Sequence, residues 1–225
     1  KRIKEIMPKL EKYYQWLERT CKDINGLYSV PLMATTMENS PRNDMYYPID
    51  FNAQQAINAL YMSNLSDILN DKEKSYRYKR YYFSLKTRIN AKMWNKDDNF
   101  YYDLDKKEKQ VKVKTIASFW PLLAEIPNEE RAEKLIAHLE NDSEFGIENP
   151  FPSLSVKEKS FDKSGYGYRG STFSHFTFMV IKGLEKYSRY ELARECTIRH
   201  LYAVLDSSNP DIENALIIWV AYNPT

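Results

Sequence analysis

Apolar residues in the first twenty positions recur at steps of three and four: Ile3, Ile6, Leu10, Tyr13, Tyr14 and Leu17. That spacing gathers them on one side of a helix with 3.6 residues per turn, so the chain is expected to open in a helix. A polar, turn-rich stretch follows over 25–48. A second helix is expected from Asn52 to Asn70, with Ala53, Ala56, Ile57, Leu60 and Ile68 facing inward. Asn70-Asp71 punctuates it, and a third helix carries Tyr78, Tyr82, Leu85, Ile89 and Met93. So short a break makes the two helices antiparallel neighbours.

Farther on, Phe100-Tyr101-Tyr102 and Val111-Lys112-Val113 flank a charged turn and read as one short hairpin, the one β element expected. Helices are expected over 114–124, through Ala132, Leu135, Ile136 and Leu139, and over 172–187 and 190–206. Between them, 141–170 holds Pro150, Pro152 and several glycines and reads as a long loop. Loops of that length in a compact domain usually carry function or stay disordered. No fixed repeat of 33 or 34 residues is visible, which argues against a simple solenoid. Tight turns alternating with long polar loops suit an all-α ring of hairpins whose long loops gather on one face.

Composition narrows the function classes. The 225 residues are 43% hydrophobic and 28% charged, with 33 basic and 31 acidic residues giving a net charge of +2. Charges so balanced and interleaved create no field for nucleic acid and no polybasic membrane patch. No apolar run approaches the length of a membrane span, so no membrane insertion is expected. Cys21 and Cys196 stand far apart without a CxxC, and read as buried small residues rather than a disulfide or metal site. The start at Lys1 lies inside a helical pattern and carries no signal-peptide pattern, while Asn223-Pro224-Thr225 follows an apolar run. Both ends therefore read as cuts in a single domain covering 1–225.

Phosphate loops, HExxH and GxSxG are all absent, and His138, His175 and His200 are scattered singly. No metal and no cofactor is expected. Asp97-Asp98 reads as turn chemistry. Three segments stand out. Met37 to Asp44 places Glu38, Arg42 and Asp44 within seven residues of loop, a carboxylate–cation group suited to sugar hydroxyls. Gly165 to Gly170 presents Tyr168 and Arg169 between glycines just before a helix. Trp219 to Pro224 offers Trp219 and Tyr222 as a stacking platform beside a proline. Taken one at a time, each also suits a solvated loop, a loop–helix junction or ordinary packing among 18 tyrosines.

In their shared order, these segments resemble the trehalases, mannosyl-oligosaccharide glucosidases and mannosylglycerate hydrolases. The resemblance rests on MENSPR, IDFNA at Ile49–Ala53, MWNKDDNFYYD at Met93–Asp103 and VKTIASFWPLLA at Val113–Ala124. PSLS at Pro152–Ser155, YRG at Tyr168–Gly170 and IKGLEKY at Ile181–Tyr187 complete it, from about 26 to 224. It implies an α/α toroid of six helical hairpins, a carbohydrate ligand and inverting hydrolysis of a glycosidic bond. It also leans towards a periplasmic or extracellular setting. Inversion uses two carboxyl groups roughly 6.5–9.5 Å apart, one protonating the leaving oxygen and one activating water. In the family pattern Glu38 stands where an Asp serves as the acid, and Val220 stands where a Glu serves as the base. Ala34 replaces a Glu, Phe173 a Trp and Thr177 an Asn, while Arg42 and Arg169 match. The expectation is a glycoside hydrolase with an altered catalytic pair: Glu38 as acid, and Arg42, Asp44, Tyr168, Arg169, Trp219 and Tyr222 as sugar contacts. Asp211 and Glu213 are candidates to replace the missing base. The alternative is a carbohydrate-binding relative that has lost its base; a helical scaffold for a protein partner would leave the NSPR and YRG matches unexplained.

Overall fold

The computed structural model describes residues 2–206 and 219–224. Among them run seven α-helices: α1 Arg2–Thr20, α2 Ile49–Ile68, α3 Lys72–Lys92, α4 Trp120–Leu123, α5 Glu129–Glu140, α6 Ser174–Lys186 and α7 Tyr190–Asp206. Helix starts follow the local chemistry. Asp71 caps α3 by accepting from the Lys74 N–H at 3.1 Å, and Asn128 caps α5 by accepting from the Arg131 N–H at 3.1 Å. Helices α2, α4 and α6 touch in succession and form an inner row, with α3 packed on α2 and α7 on α6. Helix α1 leans on α3 through Tyr14, whose ring meets Tyr78 edge-on at 5.2 Å. The arrangement is an arc of an α/α toroid, and one continuous apolar cluster fills the space between the rows.

Several boundaries differ from the sequence reading for identifiable reasons. The inward stripe of α1 is Met7, Tyr14 and Leu17, while Ile6 and Tyr13 are about half exposed, at 49% and 58%. Helix α2 begins three residues earlier than expected, because the Ile49 and Phe51 amides find carboxylate acceptors there; Ile68 at its end is exposed. The segment expected as one helix over 114–124 is a 3₁₀ turn, Ile116–Phe119, followed by the short α4. Pro121 has no N–H to donate back to Ala117, and it stands in the first turn of α4, where no such bond is needed.

The β structure is richer than one hairpin. Strand β1 (Trp94–Asn95) pairs with β2 (Phe100–Tyr101), and β3 (Asp103–Leu104) pairs with β4 (Gln110–Val111). The charged turn lies between β3 and β4, while Asn95 Oδ1 accepts from the Asp97 and Asp98 amides to make the turn between β1 and β2. A third pair joins β5 (Thr172–Phe173) to β6 (Ala221–Tyr222). That pairing takes the two residues with which the sixth helix was expected to start.

The long segment between α5 and β5 is an ordered loop. It bridges to Thr115 and Thr172 through Leu154 and Pro152, and Glu144 anchors it. The Glu144 carboxylate is buried and accepts from Lys114 Nζ at 2.9 Å, from His138 Nδ1, and from Lys157 Nζ at 3.4 Å. Burial works to raise its pKa, but the hydrogen bonds from His138 and Lys114 outweigh that and hold it below the ordinary glutamate value. A folded-state pKa below the unfolded one stabilises the fold at neutral pH, and that stability is lost as pH falls through the depressed value. Glu144→Gln is therefore expected to lower stability by about 2 kcal/mol at pH 7. Urea titrations of both proteins should show the gap closing as pH falls below the ordinary carboxylate range. A gap unchanged with pH would mean that the carboxylate charge contributes nothing.

Candidate active site

The loop leading to α2 is built from successive turns. A 3₁₀ turn over Leu32–Thr35 ends at Thr36 in the left-handed region, at φ 58°. The Ser40 amide then donates to Met37 O and the Met45 amide to Arg42 O, both at 3.0 Å. These turns direct Glu38 and Asp44 to solvent and Arg42 into the protein. Arg42 is fully buried, and every N–H of its guanidinium has an acceptor. Nε and Nη2 bond the two Asp103 oxygens at 2.7 Å each, and Nη1 and Nη2 bond the Asp50 oxygens at 2.9 and 3.0 Å. The fifth N–H meets Met37 Sδ at 3.3 Å. Burial pushes the guanidinium pKa down, but the charges of Asp103 and Asp50 outweigh it and the pKa is raised.

This cluster holds two carboxylates against one cation, and the excess charge sits at the start of α2. Asp103 Oδ1 also accepts from the Ile49 amide at 2.8 Å, and Asp50 Oδ1 from the Phe51 amide at 2.9 Å. Amides of a first helical turn have no intrahelical acceptor, and the helix dipole favours negative charge there. Arg42 was expected to touch sugar; with no donor left over, it instead fastens the Glu38 loop to α2 and to β3.

Asn39 joins that loop to the YRG segment. Its side chain accepts from the Tyr168 amide at 2.8 Å and donates to Tyr166 O at 3.2 Å. Its carbonyl accepts from Arg169 Nε at 2.9 Å. Gly167 lies at φ +55°, a conformation that favours glycine, and a Cβ there would fall 2.8 Å from the Asn39 amide and push it off the Tyr166 and Tyr168 backbone. Glu38 is close enough to Tyr168 that its charge adds to burial in raising the phenol pKa. Arg169 is exposed, and its two terminal nitrogens have no hydrogen-bond partner among the described residues. Tyr168 stacks on Phe173 at 4.5 Å with 13° between planes.

The β5–β6 pairing brings the third segment to the same place. Thr172 faces Tyr222 and Phe173 faces Ala221, and Asn149 Nδ2 donates to Asn223 O at 2.8 Å. A Cβ on Gly165 would lie 2.8 Å from Asn223 Oδ1. Loops 26–48, 141–170 and 219–224 thus form one connected surface through Asn39, Gly165 and β5. Trp219 is half exposed on it, and Val220 is 76% exposed. Tyr222, expected to contact sugar, is buried: its hydroxyl accepts from the Trp219 amide at 3.0 Å and its ring meets His200 edge-on at 5.6 Å. It therefore supports Trp219 from beneath. His200 is itself held between Ser174 Oγ and Asn149 Oδ1, at 3.0 Å each.

Glu38, Asp44, Tyr168, Arg169 and Trp219 remain accessible or partly so. Asp211 and Glu213 lie outside the described residues. A cleft of about 490 Å³ beside β6 is bordered by two other carboxylates, Glu148 and Asp206. Asp50, Asp103 and Asn39 were not singled out in the sequence as site residues, although all three fall inside the quoted motifs; Asp50 and Asp103 carry the signal of a carboxylate set among apolar residues, whereas Asn39 stands between polar ones and carries none.

Removing Arg42 would leave two carboxylates buried without a counter-charge. Arg42→Met is expected to cost about 3–5 kcal/mol, the scale for breaking a buried ion pair. A urea midpoint close to that of the unaltered protein would contradict the role given to this cluster.

The domain model for mannosylglycerate hydrolase MGH1-like glycoside hydrolases matches residues 1–215. An uncharacterized protein of Borreliella burgdorferi is 50% identical over 224 residues, covering 100% of this chain and 47% of that protein. The chain thus spans about half the length of this curated relative. Among solved structures, the GH63 mannosylglycerate hydrolase from Thermus thermophilus in complex with glucose superposes with a TM-score of 0.83 at 19% identity. It covers 99% of this chain and 63% of that one. Neutral trehalase from Saccharomyces cerevisiae gives 0.67 at 14% identity, over 80% of this chain and 34% of its own. Identities this low speak to the fold alone. The match to the domain model over almost the whole length means that this chain belongs to the MGH1-like glycoside hydrolase domain family.

Proposed function

We propose that this chain forms the pocket-bearing arc of a glycoside hydrolase-type protein that binds an oligosaccharide or small glycoside and whose catalytic pair is altered. The observation that carries the reading is the shared surface on which Glu38, Tyr168, Arg169 and Trp219 lie beside an exposed Val220. Glu38 is the acid in this reading. A carboxyl at this loop tip can protonate a leaving glycosidic oxygen, and the Asn39 clamp fixes the tip relative to Arg169. The free end of Arg169 suits charge-assisted hydrogen bonds to sugar hydroxyls. Trp219 supplies a ring face on which a sugar can stack, and Asp44 an outward carboxylate.

Inverting hydrolysis also needs a base on the opposite face of the ring, and a valine accepts no proton. The hydrocarbon side chain of Val220 supports the alternative of a binding protein that retains the pocket without turnover. Both readings predict sugar binding, and they separate on activity. With a base missing, hydrolysis of glucosides or mannosides by the full-length protein should fall ~10²–10⁴-fold below that of an enzyme with both groups. If only the base is missing, Val220→Glu should restore measurable turnover, and Glu38→Gln in that background should abolish it. If Val220→Glu leaves turnover undetectable while sugar binding persists, the binding-protein reading stands. Brisk hydrolysis by the unaltered protein would show that another carboxylate activates the water, with Glu148, Asp206, Asp211 and Glu213 the first to test.

A further inference from the structure

A second cleft, of about 300 Å³, runs between α1 and α3 and is lined by residues of these two helices. It is bordered by Arg19 and Arg77, by the rings of Tyr14, Tyr78 and Tyr81, and by Gln15. Among the described residues neither arginine has a carboxylate partner; Arg77 lies only over the Tyr78 ring, at 5.8 Å. The acid at the border, Glu18, is already engaged, accepting from Lys22 Nζ at 2.8 Å and from the Tyr28 hydroxyl. The tyrosines are fixed against one another: Tyr14 meets Tyr78 at 5.2 Å edge-on and lies parallel to Tyr81 at 6.2 Å. Tyr14 and Tyr78 are almost fully buried, and with Tyr81 they line the cleft.

Two exposed guanidinium groups without a carboxylate partner among the described residues thus stand beside tyrosine rings fixed against one another. An oxyanion answers the guanidinium groups, since planar N–H forks match phosphate and carboxylate oxygens. A ring bearing hydroxyls answers the remainder, placing its C–H face on a tyrosine and its hydroxyls towards Gln15 and the phenols. The volume lies at the low end for small-molecule sites, the size of a monosaccharide rather than a chain. We propose that the α1–α3 cleft is a binding site for a small anionic sugar, a phosphorylated or carboxylated monosaccharide, separate from the surface around Glu38.

Calorimetry on the full-length protein tests this with glucose, glucose 6-phosphate, glucuronate and inorganic phosphate as probes. At least one of the two anionic sugars should bind tenfold or more tightly than both glucose and inorganic phosphate. Binding should weaken as salt is raised. Arg19→Ala and Arg77→Ala should each reduce it at least tenfold, Arg77→Lys less, and Tyr81→Leu should reduce it with the charge intact. Any glucose binding should be unchanged in the Arg19 and Arg77 variants, which separates this cleft from the sugar surface proposed above. Circular dichroism confirms that each variant is folded. The proposal fails if glucose binds as tightly as the anionic sugars, if neither arginine variant alters binding, or if inorganic phosphate binds as tightly as either sugar.

Discussion

The buried guanidinium of Arg42 is the constraint on which the rest of the candidate site depends. It ties a loop turn, the first turn of α2 and strand β3 into one body through Asp50 and Asp103. Apolar anchors assist it: Leu27, Tyr28, Met37 and Tyr47 are packed in the core, Met37 with its sulfur against the guanidinium. From this fixed point the chain emerges at Asn39, three residues away, with its side chain already aimed at the YRG backbone. Asn39 then passes the order on to Tyr168 and Arg169, and β5 passes it on to β6.

The sequence was most informative where periodicity was strong. Tyr78, Tyr82, Leu85, Ile89 and Met93, and likewise Ala132, Leu135, Ile136 and Leu139, are all buried as their spacing implies. It was least informative where tertiary partners decide. The start of α2 depends on a carboxylate from Asp103, 54 residues away from Ile49, which no local window contains. The β5–β6 pairing joins residues about fifty apart in the chain, with two-residue strands too short to leave an alternating pattern. Residue type alone also left the burial of Arg42 and Tyr222 unforeseen. Every N–H of the Arg42 guanidinium is taken inside the protein, while Tyr222 is buried at the border of the cleft beside β6.

Family membership and site chemistry carry different information here. The toroid arc, the Asn39 clamp and the outward end of Arg169 are the parts to which the proposed function gives the binding and orientation of a sugar. The exposed side chain of Val220 sits among them with no capacity to move a proton. A protein can keep the first set while losing the second, because the clamp and the Arg42 cluster stabilise the fold whether or not turnover occurs. This is why fold and pocket can be shared across the family while the reaction varies.

The central claim is that Arg42 orders the YRG segment through Asn39. Hydrogen exchange at the Ile49 and Tyr168 backbone amides, measured on the full-length protein with and without Arg42→Lys, tests it most directly. Lysine keeps one charge but cannot make the double fork. The account predicts that both amides lose protection together in the variant, while the amides of α5 exchange as before. A Tyr168 amide as slow to exchange in the variant as in the unaltered protein would contradict it.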